Sequence, residues 1–582
     1  MSNKNFDASI LTTILQSCRN NLGIDRDEKK NPVNHSYTYD TVFYAGCQLE
    51  FIGGLPIIRI PPPFIRPYAP GENIWITKIG GTGDDVAPSI VRYSNDRIYV
   101  CGQFRSAFIS TYNVGNIKAS SVTNTTSTSN IVADVFIACY TPVGINCWVT
   151  KIGGTNNDSD ASISADASNN IYVSGVYNSV SVSTYNSGSP NFISSVANTS
   201  TNSTFDMFLA RYNSSGINQW LTKFGGTASD VAPSVVTDLS GFVYIAGQYN
   251  SGRFSTYNAS NTTIVKSSVA NFNPLSAAAS NIFLTKYSSS GDVVWLTRMG
   301  GSSNEAVPAA TASLDYNGNI YIAGPFASAN FSTSNANAND SYTSSLTINT
   351  PPPFSNIFLA QYDYNGINKW VTKITGRMVS VTPASIAVDS SSNVYIAGSY
   401  TLSSVSTFNA GDQTTIISTI PNSSAISQEM FLACYNSSGV NQWLTRIGGQ
   451  ISEERSALTI DNLNNIYITG QFTSANVSTY NAGSPNVVST VTNTSLSPLS
   501  DTFIAKYTTS GINQWLTKIG GRSGEADPSI TTDLAGNLYI TGNFISLSIS
   551  TYNAGSPNIV STMNNTASTV ISNDVYIAKY RA

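Results

Sequence analysis

The chain has 582 residues, of which 29 are Lys or Arg and 33 are Asp or Glu, so charged residues make up only 11% of it. The formal net charge of -4 excludes the concentrated cationic surface that nucleic-acid binding requires. No apolar run approaches the length of a transmembrane helix, so no membrane span is expected. Aromatic residues supply a further 11%, which gives the chain enough apolar surface to exclude disorder.

The N-terminal region is predicted to contain two segments, 1–35 and 36–73. In the first, residues 6–18 have the apolar spacing of a short amphipathic helix, and a charged link follows at 25–31. In the second, clustered prolines prevent a regular helix and predict an extended apolar arm. This arm either covers a surface of its own chain or docks onto a partner or a neighbouring copy, and both alternatives stay open.

Seven tryptophans follow at intervals of 72 to 75 residues, each at the start of a motif of the WLTKIGG type. They are Trp75, Trp148, Trp220, Trp295, Trp370, Trp443 and Trp515. Such a period indicates one array of seven structural units in place of three or four independent domains.

Each unit contains four predicted strands, which we call A, B, C and D in chain order. Strand A follows the Gly-Gly pair, strand B is of the NIYIAG type, strand C is of the FLAKY type and strand D begins at the tryptophan. An insertion of roughly thirty residues joins B to C and contains a Ser-Thr-aromatic-Asn element. Seven units of four short strands predict an all-β fold, a seven-bladed β-propeller of four-stranded blades over residues 74–582.

The two ends of the repeat array predict how the ring closes. Strand 75–79 is a D strand without a preceding C strand, and strand 575–580 is a C strand without a following D strand. Their pairing would complete the seventh blade. A solenoid, the alternative architecture, would instead need capping repeats at its ends.

The NIYITG, FIAKY and WLTKIGG elements resemble the SBBP type of seven-bladed β-propeller repeat, which occurs in secreted bacterial proteins and in large DNA viruses. The resemblance covers roughly residues 74–582. It implies the propeller fold but no activity, because propellers include enzymes, lectins and scaffolds. The amino-acid composition of the chain, which is rich in Asn, Ser, Thr, Ile and Tyr, also resembles that of proteins from AT-rich giant viruses.

An acidic residue recurs four positions after the Gly-Gly pair in six of the seven units and forms the candidate site. These residues are Asp85, Asp158, Asp230, Glu305, Glu453 and Glu525, with Ser380 in the fifth unit. A ring of carboxylates around a central channel could hold Ca²⁺ through oxygen ligands or raise the pKa values of its members. The favoured alternative is structural: each acid caps a turn or pairs with the Lys or Arg three residues after the tryptophan.

The B–C insertions form the second candidate surface. They are almost uncharged and rich in hydroxyls and amides, so seven of them on one face would form a crown of loops able to bind glycans. The favoured alternative is that the insertions pair with each other as additional short strands.

Catalytic patterns are missing from the sequence. The single histidine, His35, lies outside the repeats, and the six cysteines show no C-x₂-C spacing for zinc. Cys139 and Cys147 face each other across a predicted hairpin, although free thiols are favoured. The Gly-Gly pairs lack the Lys-Ser/Thr of a phosphate-binding loop. We therefore expect no enzyme, no catalytic residue and no bound cofactor.

The N-terminus lacks the compact apolar core of a signal peptide, so the protein is expected in the cytoplasm or in a virion. The sequence predicts a structural or interaction scaffold in a large assembly such as a virus particle, with the arm as docking element. Its partners would be other proteins or copies of itself. The alternative function is a glycan-binding adhesin that uses the B–C loops.

Overall fold

A computed structural model describes residues 48–52, 55–59, 69–92, 97–126, 132–200, 204–272, 280–303, 305, 310–337, 341–347, 355–378, 385–423, 427–495, 499–567 and 572–582. The chain forms two compact units, Met1–Ala69 and Pro70–Ala582. In the first unit, β1 (Gln48–Ile52) pairs antiparallel with β2 (Leu55–Arg59), within the segment predicted as an arm. The helix predicted over 6–18 lies outside the described residues.

The described residues of the second unit form 41 strands. The first fourteen are β3 (Asn73–Gly80), β4 (Asp85–Arg92), β5 (Ile98–Phe104), β6 (Phe108–Asn113), β7 (Ile117–Thr123), β8 (Asp134–Tyr140), β9 (Asn146–Gly153), β10 (Asp158–Ala165), β11 (Ile171–Tyr177), β12 (Ser181–Tyr185), β13 (Phe192–Ala197), β14 (Asp206–Tyr212), β15 (Asn218–Gly225) and β16 (Asp230–Thr237). The next fourteen are β17 (Val243–Tyr249), β18 (Arg253–Asn258), β19 (Asn261–Ala270), β20 (Asn281–Tyr287), β21 (Val293–Gly300), β22 (Thr311–Leu314), β23 (Ile320–Phe326), β24 (Asn330–Ser334), β25 (Tyr342–Thr347), β26 (Ser355–Tyr362), β27 (Asn368–Met378), β28 (Ser385–Val388), β29 (Val394–Thr407) and β30 (Ser418–Pro421). The last thirteen are β31 (Gln428–Tyr435), β32 (Asn441–Gly448), β33 (Glu453–Ile460), β34 (Ile466–Phe472), β35 (Asn476–Tyr480), β36 (Val487–Thr492), β37 (Asp501–Tyr507), β38 (Asn513–Gly521), β39 (Glu525–Thr532), β40 (Leu538–Phe544), β41 (Ser548–Tyr552), β42 (Ile559–Asn564) and β43 (Asp574–Tyr580).

These strands form the predicted seven-bladed propeller. Blade 1 has the order β4-β5-β8-β9-β12-β13, and blades 2, 3, 6 and 7 follow the same six-stranded pattern, beginning at β10, β16, β33 and β39. Blades 4 and 5 share the long strand β29 and so form one eleven-stranded sheet. Strand A is innermost, where the A strands of adjacent blades contact each other.

The blades are six-stranded, which corrects the prediction of four strands. The two additional strands are the B–C insertion of the following repeat, folded as a β-hairpin against strand D. In blade 1, Gly153 and Ile152 of β9 pair with Ser183 and Thr184 of β12. The expected crown of loops is therefore replaced by hairpins at the outer rim. The alternative predicted that the insertions form additional short strands, which is confirmed, but each insertion pairs within itself and with strand D, and not with another insertion.

The Ser-Thr-aromatic-Asn element clasps each blade to the next. The Thr77 hydroxyl on strand D of blade 7 donates to the carbonyl of Tyr112 at 2.7 Å, while the Asn113 amide oxygen accepts from the backbone N–H of Asn146 in blade 1, at 2.8 Å. The same two contacts recur at all seven junctions, at 2.7 to 2.9 Å. The motif is therefore an inter-blade clasp.

The ring closes as the sequence predicts. Strand β3 pairs antiparallel with β43 in the register Ile76↔Ala578 and Ile79↔Val575. In the other blades one turn connects strands C and D, but here two separate parts of the chain meet at that place. The backbone N–H of Gly71 donates to the carbonyl of Arg581 at 2.8 Å. The seventh blade is thus assembled from both ends of the propeller sequence.

The periodic tryptophans pack against the tyrosine of strand B in their own blade. In blade 1 the ring centroids of Trp148 and Tyr99 are 6.1 Å apart, and the Trp148 Nε1–H donates to the carbonyl of Ser214 in blade 2 at 2.9 Å. The turn glycine beside it, Gly216, has φ of +75°, and an added Cβ would lie 2.9 Å from the Trp148 ring. Each tryptophan therefore needs a small residue in the adjacent blade.

We expect Trp148→Phe to destabilise the protein by about 1 kcal/mol more than Trp515→Phe. Both side chains are equally buried, but the Trp515 Nε1–H has no acceptor among the described residues. Only the first substitution therefore breaks an inter-blade hydrogen bond. Urea unfolding of the two variants measures the difference, and equal losses would show that this bond is irrelevant to stability.

Candidate functional site

The six predicted acids lie at the inner end of the blades, directly after the D–A turn. Five of them are the first residues of A strands, namely Asp85, Asp158, Asp230, Glu453 and Glu525. Glu305 forms an isolated bridge with Phe326. All six side chains are fully buried, so they present no carboxylate ring to a channel.

Hydrogen-bond donors of the same blade surround each carboxylate. Asp158 accepts from the backbone N–H of Gly154 at 2.5 Å and from the Ser179 hydroxyl at 3.0 Å. Asp230 accepts from the backbone N–H groups of Asn250 and Ser251 and, at 2.7 Å, from the Ser251 hydroxyl. Asp85, Asp158, Glu453 and Glu525 cap the D–A turn by accepting from its second glycine, as the structural alternative predicted. Asp230 and Glu305 instead accept from residues that follow strand B.

The Ca²⁺ hypothesis gains no ligand set from this arrangement. Ca²⁺ needs six to eight oxygen ligands, whereas N–H and O–H donors face these carboxylates. Across the described part of the chain, His, Cys, Asp and Glu form no group of three that could hold a metal ion. Metal binding by the acids stays a prediction.

A second buried carboxylate, missed from the sequence, begins strand C in five blades. These residues are Asp134, Asp206, Glu429, Asp501 and Asp574, and Asn281 and Asn356 take the place in blades 3 and 4. The signal was available, because the residue directly before each FLAKY motif is acidic or Asn.

In four blades the basic residue three positions after the tryptophan forms an ion pair with this second acid. Lys151 Nζ lies 3.3 Å from Asp134 Oδ2, and Lys518 Nζ lies 3.3 Å from Asp501 Oδ2. The suggested pairing with the D–A acids is therefore corrected. The basic residues are nearer to strand C of their own sheet, because C and D are hydrogen-bonded neighbours.

Burial raises the pKa values of the acids after the D–A turn and of the aspartates among the second acids at the start of strand C. It raises the pKa of Asp206 and Asp574 to about 6, of Asp230 and Glu305 to about 7, and of Glu453 to about 8. The pKa of Asp85 is raised by burial first and then by the negative charge of Asp574. These pKa shifts arise from a repeated structural device, so they do not mark one blade as catalytic.

The two buried acids, the D–A acid and the second acid, explain why the Gly-Gly pair has no side chains. A Cβ added to Gly80 would lie 2.0 Å from an oxygen of Asp574, and one added to Gly81 would lie 2.3 Å from the Ser106 hydroxyl. Ser106 in turn donates to Asp85. The glycines therefore make room for the two buried carboxylate clusters.

Each basic residue also faces an aromatic ring, and six of the seven bond a backbone carbonyl, whereas Lys151 bonds the Thr125 hydroxyl. Lys78 Nζ donates to the carbonyl of Asn564 at 2.7 Å and lies 4.7 Å from the centroid of Tyr112, the aromatic residue of the clasp. In six blades this distance from the cation to the clasp ring is 4.2 to 5.0 Å. We call this assembly of cation, ring and second acid (or its Asn replacement) the clasp cluster.

The cysteines of the described residues are free thiols. Cys101, Cys139 and Cys434 are buried, and Cys147 is exposed beside Arg97. The hydrogen bond from Cys139, together with the Arg97 guanidinium, lowers the pKa of Cys147 to about 7. His35 lies outside the described residues.

The outermost strand of each blade has no strand partner on its outer side within the described ranges, and it exposes apolar side chains. They lie at or near the start of the strand and are between 40% and 65% exposed, being Ile117, Phe192, Ile193, Ile264, Val265, Tyr342, Ile416, Ile417, Val487, Val488, Ile559 and Val560. Lys118 and Lys266 are the only charged residues in these seven strands. We call this surface the apolar rim.

Comparisons with known proteins agree with the fold. The family model of the SBBP β-propeller repeat matches residues 369–399. The chain is 27% identical over 555 residues to an uncharacterized WD repeat-containing protein of Acanthamoeba polyphaga mimivirus, covering 87% of this chain. It spans 38% of the length of that relative.

The solved structures to which this chain is similar are distant from it in sequence. A protein of unknown function from Dyadobacter fermentans is 9% identical, with a TM-score of 0.34, and covers 88% of this chain and 100% of its own. A polysaccharide lyase bound to an ulvan fragment is 11% identical, with a TM-score of 0.40, over 85% of this chain and 98% of its own. No helix of the described residues is long and apolar enough to cross a membrane.

Proposed function

We propose that this propeller, similar to a mimivirus repeat protein, is a non-enzymatic interaction scaffold in a large assembly such as a virus particle. The observation that carries the proposal is the apolar rim. Among the described residues, no further strand pairs with the outer side of the seven edge strands, and these strands expose apolar side chains. In β25 the side chain of Gln413 bonds the backbone N–H of Thr347 and the carbonyl of Ser345.

Edges of this kind normally carry protection. Soluble proteins place charges, prolines or bulges on edge strands, because an unprotected edge pairs with other chains. Six of the seven outermost strands do carry a register shift that adds one residue to the strand. However, five of the seven have no charged residue, and Pro421 is the only proline among them. Strand addition by a neighbouring protein or copy, beyond the bulge, would pair with the outer edge and cover the apolar side chains.

The repeated chemistry of the blades supports a scaffold in preference to an enzyme. The predicted acids accept hydrogen bonds within the blades, and the basic residues and second acids hold the blades and hairpins together. The N-terminal arm predicted over 36–73 would be a second docking element of the protein.

Lysine substitutions in the apolar rim test the proposal. We expect a variant with Ile264→Lys, Val488→Lys and Ile559→Lys to fold normally but to lose most of its co-sedimentation with the native assembly, because charge blocks strand addition. The measurement is the fraction of tagged protein that sediments with large particles from the natural source, with melting curves to confirm folding.

The matched control carries three lysines on exposed apolar residues of the A–B turns, Leu239, Leu463 and Leu534. It should co-sediment like the wild type. Equal loss in both variants would attribute the effect to surface charge alone, and normal incorporation of the rim variant would refute the proposal.

A further inference from the structure

One clasp cluster differs from the others, in blade 3. Where six clasps place an aromatic ring over the basic residue, the clasp against blade 3 has Ser334. The basic residue there is Arg298, and Asn281 occupies the position of the second acid. Phe272 replaces the Thr or Ser that bonds this acid in five other blades.

The backbone of this clasp is unchanged. The Thr297 hydroxyl donates to the carbonyl of Ser334 at 2.7 Å, and the Asn335 amide oxygen accepts from the backbone N–H of Asn368 at 2.8 Å. The hairpin therefore sits as it does on the other blades, and only the ring is missing.

A pocket of about 430 Å³ lies beside Ser334, within the size range of small-molecule sites. It lies between the outer hairpin of blade 2 and strand β21 of blade 3. Besides Ser334, its polar lining includes Arg253, Arg298, Ser267, Ser268, Asn335 and Asn337. Among the described residues that line it, two are arginines and none is acidic.

Both guanidinium groups are held in place. Arg298 donates to the carbonyl of Ala270, and its Cζ lies 4.2 Å from the centroid of Phe272. Phe272 stacks in turn on Tyr342, with centroids 5.3 Å apart. Arg253 Nη1 donates to the Ser268 hydroxyl at 2.8 Å. The site is therefore preorganised, which lowers the entropic cost of binding a ligand.

We propose that this pocket binds an acidic saccharide, that is, a sugar carrying a carboxylate. Guanidinium groups bind carboxylates through charge-assisted, often bidentate hydrogen bonds. Serine hydroxyls and asparagine amides both donate and accept hydrogen bonds, which matches the hydroxyls of a sugar ring. The rim and the pocket share Tyr342, which stacks on Phe272 behind Arg298, but no residue of the apolar rim lines the pocket itself.

Binding of glucuronate to the full chain, measured by isothermal titration or saturation-transfer NMR, tests this. We expect glucuronate to bind at least tenfold more tightly than glucose, because glucose lacks the carboxylate. Ser334→Tyr fills the pocket with the ring that most other clasps carry, so it should fold normally and weaken glucuronate binding at least tenfold. Arg253→Gln should also weaken binding.

The matched control is Lys266→Gln, which removes a charge from the same hairpin outside the pocket and should leave binding unchanged. Inorganic sulfate should bind more weakly than glucuronate, because it cannot use the hydroxyl and amide groups. Failure of glucuronate to bind, equal binding of glucose or sulfate, or unchanged binding by Ser334→Tyr would each overturn the proposal.

Discussion

Deleting residues 574–582 is expected to abolish cooperative unfolding. Strand β43 is the C strand of blade 7 and the neighbour of both β40 and β3. Its residues Val575, Tyr576, Ile577 and Tyr580 are fully buried. Burial of one such side chain stabilises a protein by about 1.5 to 3 kcal/mol, and a whole domain is stable by about 5 to 15 kcal/mol. Deleting this strand therefore removes a stabilising free energy close to the net stability of the whole domain.

Calorimetry and urea unfolding monitored by tryptophan fluorescence provide the measurement. The full chain should show one sharp transition, and the truncated chain should show a broad one or none. A variant lacking residues 1–68 is the control, because it removes the first unit and keeps the closing pair of strands. A truncated protein with unchanged melting would contradict ring closure by β3 and β43.

Stability is expected to fall as the pH rises from about 4 to about 8. Burial raises the pKa of Asp230 from 3.8 to about 7 and that of Glu453 from 4.5 to about 8. The folded protein holds these protons to a higher pH than the unfolded chain does. Stability from these groups is therefore fully present below the unfolded pKa and is lost as the pH passes through the folded pKa.

The size of the effect is large. For Asp230 alone, the difference between the two pKa values corresponds to about 4 kcal/mol in the free energy of unfolding. Burial lowers the pKa of Lys78, Lys151 and Lys518, and these groups act in the opposite direction as the pH rises toward 10.5. Urea unfolding at intervals between pH 4 and pH 8 measures the net slope.

Asp206→Asn tests which groups cause the slope. The chain already has Asn281 and Asn356 at the same position of other blades, so the amide fits the fold. Because the pKa of Asp206 is raised by burial to about 6, the variant should lose up to about 3 kcal/mol of the pH dependence and gain relative to the wild type above pH 6.

Asp412→Asn is the control for this series. Hydrogen bonds from Thr415 and Thr414 lower the pKa of Asp412, so above about pH 5 it is ionised in both the folded and the unfolded chain. The control should therefore shift stability by a constant amount between about pH 5 and pH 8. A wild-type stability that rises with pH over this range would contradict the assignment of buried, protonated carboxylates.

Local and periodic features of the sequence were sufficient to predict the propeller. The spacing of the tryptophans defines seven units, and the orphan strands 75–79 and 575–580 define the closing pair. Both follow from strand patterns that repeat in a fixed order. A D strand without a preceding C strand and a C strand without a following D strand identify each other as partners.

The sequence pattern did not indicate how the strands of one repeat pair with those of the next. The B–C insertion pairs with strand D of the preceding blade, and no residue pattern states which sheet a hairpin joins. The second acid was overlooked because Asp134 and its equivalents stand just outside the strand motif. The pocket beside Arg298 required comparison of one contact in all seven blades, since Ser334 by itself is an ordinary residue of a polar hairpin.

The apolar rim is the central claim, and amide hydrogen exchange tests it most directly. Exchange should be compared in the isolated protein and in the native assembly, with the A–B turn at 461–465 as an internal reference. We predict that amides of β13, β36 and β42 exchange markedly more slowly in the assembly, while the reference turn is unchanged. Equal exchange of these strands in both states, or protection confined to the A–B turns, would contradict the account.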